Sequence, residues 1–458
     1  MRQLAMPASA IVAMLAIVVL AASAAARDAD SSDASATGAS AAARIERQLD
    51  AAAGTAITET YPPPKVTARG WLVHDAAADE PIAAVEASTP RPIASLVKLM
   101  TALVVLDRVT PDQLVTIPAS VNDLGADAAR MDARPGEKWP ASDLLDAMLV
   151  HSANDAALAL ASHVGKGSEA AFVELMNERA DDLGLSGTTF ASSTGLDTPG
   201  TASTSTPIDL VALATEALAE PSIAAAVAKK SVTLTRPNGT KLAPLPNRNP
   251  LLGSYDGVDG VKTGFTDAAG YMLVTHHVDD ATDGELLVVT MASKDEQSRI
   301  ADSRALLDWA RPLRQQLRIV EGGTPLGSIP VQRSNERVEV FACDDLVASV
   351  RVGQQVEQQV VLPRSVAAPV EVGDELGELR VRVGAGVSDA EADGGADENE
   401  DGDETLVPAT VPLCADSSVA ASDRFERAID YARDWRSAWE LGVDEVQDAW
   451  ASVREQAA

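Results

Sequence analysis

At 458 residues the chain is too long for a single compact core, so two or three folded units are expected. An apolar content of 46% excludes a wholly disordered chain, and aromatic residues at only 3% leave alanine and aliphatic side chains to build the cores. A formal net charge of −31 with few lysines excludes a surface made to neutralise a nucleic-acid backbone.

In chain order, Arg2 and an apolar stretch from about Ala8 to Leu20 lead into an alanine-rich run that ends at Ala26 with A-x-A cleavage sites. This reads as an export signal over residues 1–26; the alternative, a retained anchor, calls for a longer apolar stretch. Export would put Cys343 and Cys414 in an oxidising compartment, where a disulfide can form. Residues 27–64, rich in Ala, Ser, Asp and Thr and closed by Pro62, Pro63 and Pro64, read as a linker.

Residues 65–315 mix both kinds of element. A strand signal at Ala68–Val73 precedes helical stretches over Ala94–Asp107, Ala141–His163 and Ala170–Leu183. Hairpin elements follow at Ser231–Thr235, Gly270–Thr275 and Glu285–Ala292, with a turn at Pro237-Asn238-Gly239, and a helix over about Ser298–Leu313 closes the region. The order predicts an α+β unit in which an antiparallel sheet is covered by helices. Residues 316–416 change to short β-branched runs, such as Ala348–Val352, Val356–Leu362 and Leu379–Val383, and predict a small all-β domain.

Inside that domain lies an acidic loop, 388–404. Asp389, Glu391, Asp393, Gly394, Asp397 and Glu400 fit a calcium-loop spacing apart from Glu at its third position, yet no flanking helices are predicted, so a solvated loop is the simpler reading. Residues 420–452 predict an amphipathic helix with Trp435, Trp439 and Trp450 on one stripe. Such a stripe can seat on a membrane surface, pack on the β domain or self-associate.

Several engines are absent: there is no G-x-S-x-G, H-E-x-x-H, phosphate-cradling glycine loop or C-x-x-C. His74, His151, His163, His276 and His277 show no metal-ligand spacing. What is present is Ser95-Leu96-Val97-Lys98 at the start of an apolar helical run, where positions i and i+3 share a face and bring hydroxyl and amine within reach. Ser152-Ala153-Asn154 follows at the end of a helical stretch, and Lys262-Thr263-Gly264 just before a strand signal.

Acyl transfer gives each residue a task. Ser95 would attack a carbonyl, Lys98 would take its proton, and Ser152 would relay a proton toward the leaving amine. Asn154 would orient the substrate amide and Lys98. Lys262 supplies a second cation that depresses the amine pKa, and with Thr263 it can hold a carboxylate. Gly264 would let a substrate backbone lie on the strand, and the N–H groups of Ser95 and Phe265 would form an oxyanion hole. Arg248 and Arg299 are candidates for the terminal carboxylate or for structural ion pairs.

The S-x-x-K, S-x-N and K-T-G series in this order is the set found in penicillin-binding proteins and β-lactamases. With Pro92–Thr101, Ser152–Ala156, Phe172–Asn177, Asn247–Leu252 and Gly260–Gly264, the chain resembles the low-molecular-mass penicillin-binding D-alanyl-D-alanine carboxypeptidases over almost its whole mature length. That resemblance implies a DD-peptidase/β-lactamase-like domain, a trailing β domain and an end helix. It further implies a periplasmic enzyme held to the inner membrane by that helix, acting on peptidoglycan peptides ending in D-Ala-D-Ala, blocked by β-lactam antibiotics, and needing no metal or organic cofactor. A DD-endopeptidase or a non-catalytic peptidoglycan-binding protein are the alternatives; a class A β-lactamase lacks its glutamate here, since no Glu occurs between Glu178 and Glu216. Phe265 stands where a histidine often follows K-T-G, and Ser192–Leu196 replaces an Asn-Pro segment.

Overall fold

A computed structural model describes residues 17–19, 40–52, 61–197, 201–352, 354–385 and 407–420. Two compact units divide them, one of residues 31–315 with 351–353 and one of 316–350 with 354 onward, to which residues 17–19 belong.

The larger unit is α+β. Its sheet is built from β1 (Gly70–Asp75), β2 (Glu80–Val85), β3 (Val258–Thr266), β4 (Gly270–Asp279) and β5 (Gly284–Ser293), antiparallel throughout in the order β3-β4-β5-β1-β2. Met272, Leu273 and Val274 on β4, and Leu287, Val288 and Val289 on β5, are all buried. Such unbroken apolar runs are what a sheet covered on both faces requires. Strand β3, which carries Lys262-Thr263-Gly264, lies at the edge of the sheet.

The helices are α1 (Ala41–Ala52), α2 (Lys98–Leu106), α3 (Ala141–Val150), α4 (Asn154–Val164), α5 (Glu169–Asp182), α6 (Pro207–Ala219), α7 (Pro221–Val227) and α8 (Glu296–Ala310). Helix α2 is buried from Lys98 to Val105 because it is apolar on every side, and α3, α4, α5 and α6 pack around it. Helix α8 packs on β4 and β5. Its Asp302 accepts from Thr67 N (2.8 Å), Ala68 N (2.9 Å) and Ser293 Oγ (2.8 Å), tying the start of β1 to the end of β5.

Three expectations change. The linker assigned to residues 27–64 contains α1, which buries Ala42 and Ile45 against the main core. Its stripe of Ala41, Ile45 and Leu49 is spaced four residues apart but is so alanine-rich that composition masked it. The helix expected over Ala141–His163 is two helices, broken at His151–Ala153, where Ser152 takes a left-handed φ of 63°. The long hairpin strand at Ser231–Thr235 shrinks to Ser231–Val232, paired with Leu245–Pro246, plus a bridge from Thr235 to Lys241 around the expected turn.

Among the described residues the smaller unit is all β. Strands β7 (Pro325–Pro330), β8 (Arg337–Ala342), β10 (Gln354–Val361), β11 (Glu375–Ala385) and β12 (Val407–Ala415) form a sheet in the order β10-β11-β12-β8-β7, with Ile17–Val19 parallel to β10 on its outer side. Strands β6 (Arg314–Val320) and β9 (Leu346–Arg351) pair separately. Val340, Val356, Leu379, Val381 and Leu413 centre its core. Cys343 and Cys414 form a disulfide, Cα–Cα 5.3 Å. The acidic loop 388–404, the end helix 420–452 beyond Ala420 and most of the leader lie outside the described residues.

Candidate active site

Ser95 sits in a single 3-10 turn, Ala94–Val97, that runs straight into α2. Edge strand β3 lies across this turn, and Gly264 permits it: a Cβ there would sit 3.0 Å from the Ile93 carbonyl oxygen and 3.4 Å from Ala94 Cβ. A similar constraint fixes Gly195, whose φ is 76° and whose Cβ would lie 2.0 Å from Ala94 O.

One helical turn after Ser95, the wholly buried Lys98 aims its Nζ at three oxygens: Ser95 Oγ (2.8 Å), Asn154 Oδ1 (2.9 Å) and the Thr194 carbonyl. Asn154 opens α4, and its Nδ2 donates to Ala129 O (3.1 Å), so its oxygen is the atom left facing Lys98. Its neighbour Asp155 accepts from Met131 N and Ala133 N, each at 3.0 Å, and so holds the segment that carries Ala129. Burial raises the Asp155 pKa against those hydrogen bonds.

The break between α3 and α4 places Ser152 Oγ 3.0 Å from Lys262 Nζ, which also donates to Thr263 O (3.0 Å). Burial, then the charges of Arg248 and Arg299, bring the Lys262 pKa down to about 7. Burial, then the neighbouring Lys262, hold Lys98 well below the usual lysine range. A neutral amine has two N–H bonds and one lone pair. In that form Asn154 Oδ1 and Thr194 O, which can only accept, would take both hydrogens and leave the lone pair to the one neighbour able to donate, the Ser95 hydroxyl.

The structure therefore joins Ser95, Lys98 and Asn154 in one hydrogen-bonded group and Ser152, Lys262 and Thr263 in a second. Arg248 stands apart: its guanidinium lies 3.4 Å from His151 Nε2 and reaches Lys262 through charge. Arg299 is buried on α8, 5.6 Å from the Tyr271 ring. Phe265 is 47% exposed and stacks on Tyr271, centroids 4.2 Å apart.

A family model described as D-alanyl-D-alanine carboxypeptidase matches residues 56–295. The chain belongs to that family. D-alanyl-D-alanine carboxypeptidase DacC of Escherichia coli (strain K12) is 35% identical over 274 residues, 57% of this chain and 65% of that protein, so the match spans just under two thirds of the relative's length. D-alanyl-D-alanine carboxypeptidase DacB2 of Mycobacterium tuberculosis (strain ATCC 25618 / H37Rv) is 34% identical over 56% of this chain and 87% of its own. Penicillin binding protein 5 from Haemophilus influenzae superposes with a TM-score of 0.53 at 26% identity, covering 78% of this chain and 99% of that one.

In this D-alanyl-D-alanine carboxypeptidase family member, the sequence marked the stretches Ser152–Ala156 and Ser192–Leu196 but assigned no role to Asp155 or Thr194 within them, and Ala129 went unnoticed. Backbone carbonyls carry no side-chain signature, so Thr194 O and Ala129 O were illegible. Gly195 was the available signal, a glycine between polar residues where a backbone makes a close approach.

Proposed function

We propose that the protein is a serine-type D-alanyl-D-alanine carboxypeptidase that removes the terminal D-alanine from peptidoglycan pentapeptides through an acyl-enzyme on Ser95 and is blocked by penicillins. The observation that carries this reading is the buried Lys98 amine, whose Nζ lies 2.8 Å from Ser95 Oγ and 2.9 Å from Asn154 Oδ1, beside the Thr194 carbonyl.

Ser95 Oγ attacks the carbonyl of the penultimate D-alanine as Lys98 Nζ takes its proton. The N–H groups of Ser95 and Phe265 bind the oxyanion. Ser152, bonded to Lys262, relays to the departing amine the proton that Lys98 took from Ser95, which returns Lys98 to its neutral form. Lys262 and Thr263, with Arg299 and Arg248 nearby, receive the carboxylate of the leaving residue; a bound carboxylate draws Lys262, with its pKa near 7, to the charged form. Water then attacks the ester, Lys98 serves again as base, and Ser95 regains its proton.

The leader at 1–26, the catalytic domain at 65–315, the β domain at 316–416 and the amphipathic helix at 420–452 make an exported, periplasmic enzyme lying peripherally on the inner membrane. Supporting that placement are the apolar run before Ala26 and the tryptophan stripe. Among the described residues no single helix is long and apolar enough to cross a membrane.

A fluorescent penicillin tests the acyl-enzyme. Wild type is expected to carry a covalent label and Ser95→Ala none; equal labelling of both would remove Ser95 from the reaction.

A further inference from the structure

The Thr194 carbonyl that receives a hydrogen from Lys98 belongs to irregular backbone, and irregular backbone keeps a fixed position only where something anchors it. Residues 192–195 are anchored from two sides. Glu169, the first residue of α5, accepts through a single oxygen, Oε1, from both Ser193 N (2.9 Å) and Ser193 Oγ (2.6 Å). On the other side the Ser193 carbonyl accepts from Thr101 Oγ1 (2.9 Å), which sits on α2 one turn beyond Lys98. Ser193 is wholly buried, and the next carbonyl along the chain is the one bonded to Lys98 Nζ.

We infer that Glu169 is a positioning residue for the general base: by clamping Ser193 it holds the Thr194 carbonyl against the Lys98 amine and so keeps the lone pair on Ser95. This rests on the acyl-transfer reading above. Hydrogen bonds to an ionised carboxylate are roughly twice as strong as neutral ones, which suits an anchor for a loop without a ladder of its own. A carboxylate in the first turn of α5 is also favoured by the helix dipole. Glu169 touches neither Ser95 nor Lys98; it acts through the loop. A displacement of about 1 Å at a reacting group costs on the order of a hundredfold in rate.

The test separates binding from chemistry. Penicillin acylation of wild type, Glu169→Ala and Glu169→Gln is resolved into the prior binding constant and the acylation rate constant. Glu169→Ala is expected to slow acylation about 10- to 100-fold with the binding constant within about threefold of wild type. Glu169→Gln, whose amide oxygen still accepts from both Ser193 donors, is expected to recover to within about fivefold. Wild-type acylation by Glu169→Ala, a Gln variant as slow as the Ala variant, or a loss confined to the binding constant would overturn the inference. Should Glu169→Ala fail to fold, Ser193→Ala removes one of the two donors, and an unchanged acylation rate there would overturn it equally. A wild-type protein that is not acylated at all defeats the acyl-transfer reading and the inference with it, whereas a defect in the variants alone bears only on Glu169.

Discussion

In the proposed mechanism Ser95 is activated by subtraction: Lys98 is stripped of solvent, set beside a second cation and given two acceptors, so that as a neutral amine its lone pair would be left to the Ser95 hydroxyl. Because Lys262 is the charge that adds to burial in lowering the Lys98 pKa, its removal has a predictable sign. In Lys262→Gln the Lys98 pKa rises, so a higher pH is needed to free the base, and the acid limb of the penicillin-acylation profile should move to higher pH than in wild type. A limb that stays in place, or moves to lower pH, would show that burial alone sets the amine. The residues that make this arrangement divided cleanly in legibility. The side chains singled out by type and order, Ser95, Lys98, Ser152, Asn154 and Lys262, are the ones the structure brings into two hydrogen-bonded groups. Thr194 and Ala129, which contribute only carbonyl oxygens, were not legible, since any residue type supplies one.

Strand β3 is where elements meet the chemistry, and the sheet behind it carries an ionic ladder. His276 on β4 bonds Asp259 on β3 through Nδ1 (2.6 Å) and Glu285 on β5 through Nε2 (2.7 Å). Burial works against the imidazolium, but the hydrogen bonds and charges of the two carboxylates outweigh it and lift the His276 pKa to about 9. The folded value lies above the unfolded one of about 6.5, so this contribution is fully present below pH ~6.5 and disappears as pH rises through about 9. The stability gap between wild type and His276→Gln, measured by thermal unfolding across pH, should be widest in mild acid and narrow progressively toward pH ~9. Both carboxylates are nearly half exposed, so the change is on the order of 2 kcal/mol after solvent screening. A gap that is constant with pH would mean that His276 contributes packing alone. Elements were legible where apolar periodicity was strong, as in α2, β4 and β5. They were misread where alanine flattened the pattern, in α1, and where a single left-handed residue, Ser152, broke a helix whose sequence reads as continuous.

At the scale of the whole molecule, the two units are stabilised by different means. Among the described residues the larger unit has a large aliphatic core. The β unit has a small core, and the Cys343–Cys414 disulfide links the residue after β8 to β12 across 71 residues of sequence. Cross-links that close long loops typically contribute about 2–4 kcal/mol. Reduction should therefore lower the unfolding temperature of the β unit while covalent labelling by penicillin persists; loss of labelling on reduction would show that the catalytic unit depends on the bond. Fold class followed from the order of strands and helices, since the apolar face of a sheet must be buried against other elements. The most direct test of the account is release of free D-alanine from a pentapeptide ending in D-Ala-D-Ala, followed for wild type and Ser95→Ala. The account predicts release by wild type and none by the variant. No release by wild type, in a protein that still forms a covalent penicillin adduct on Ser95, would contradict it.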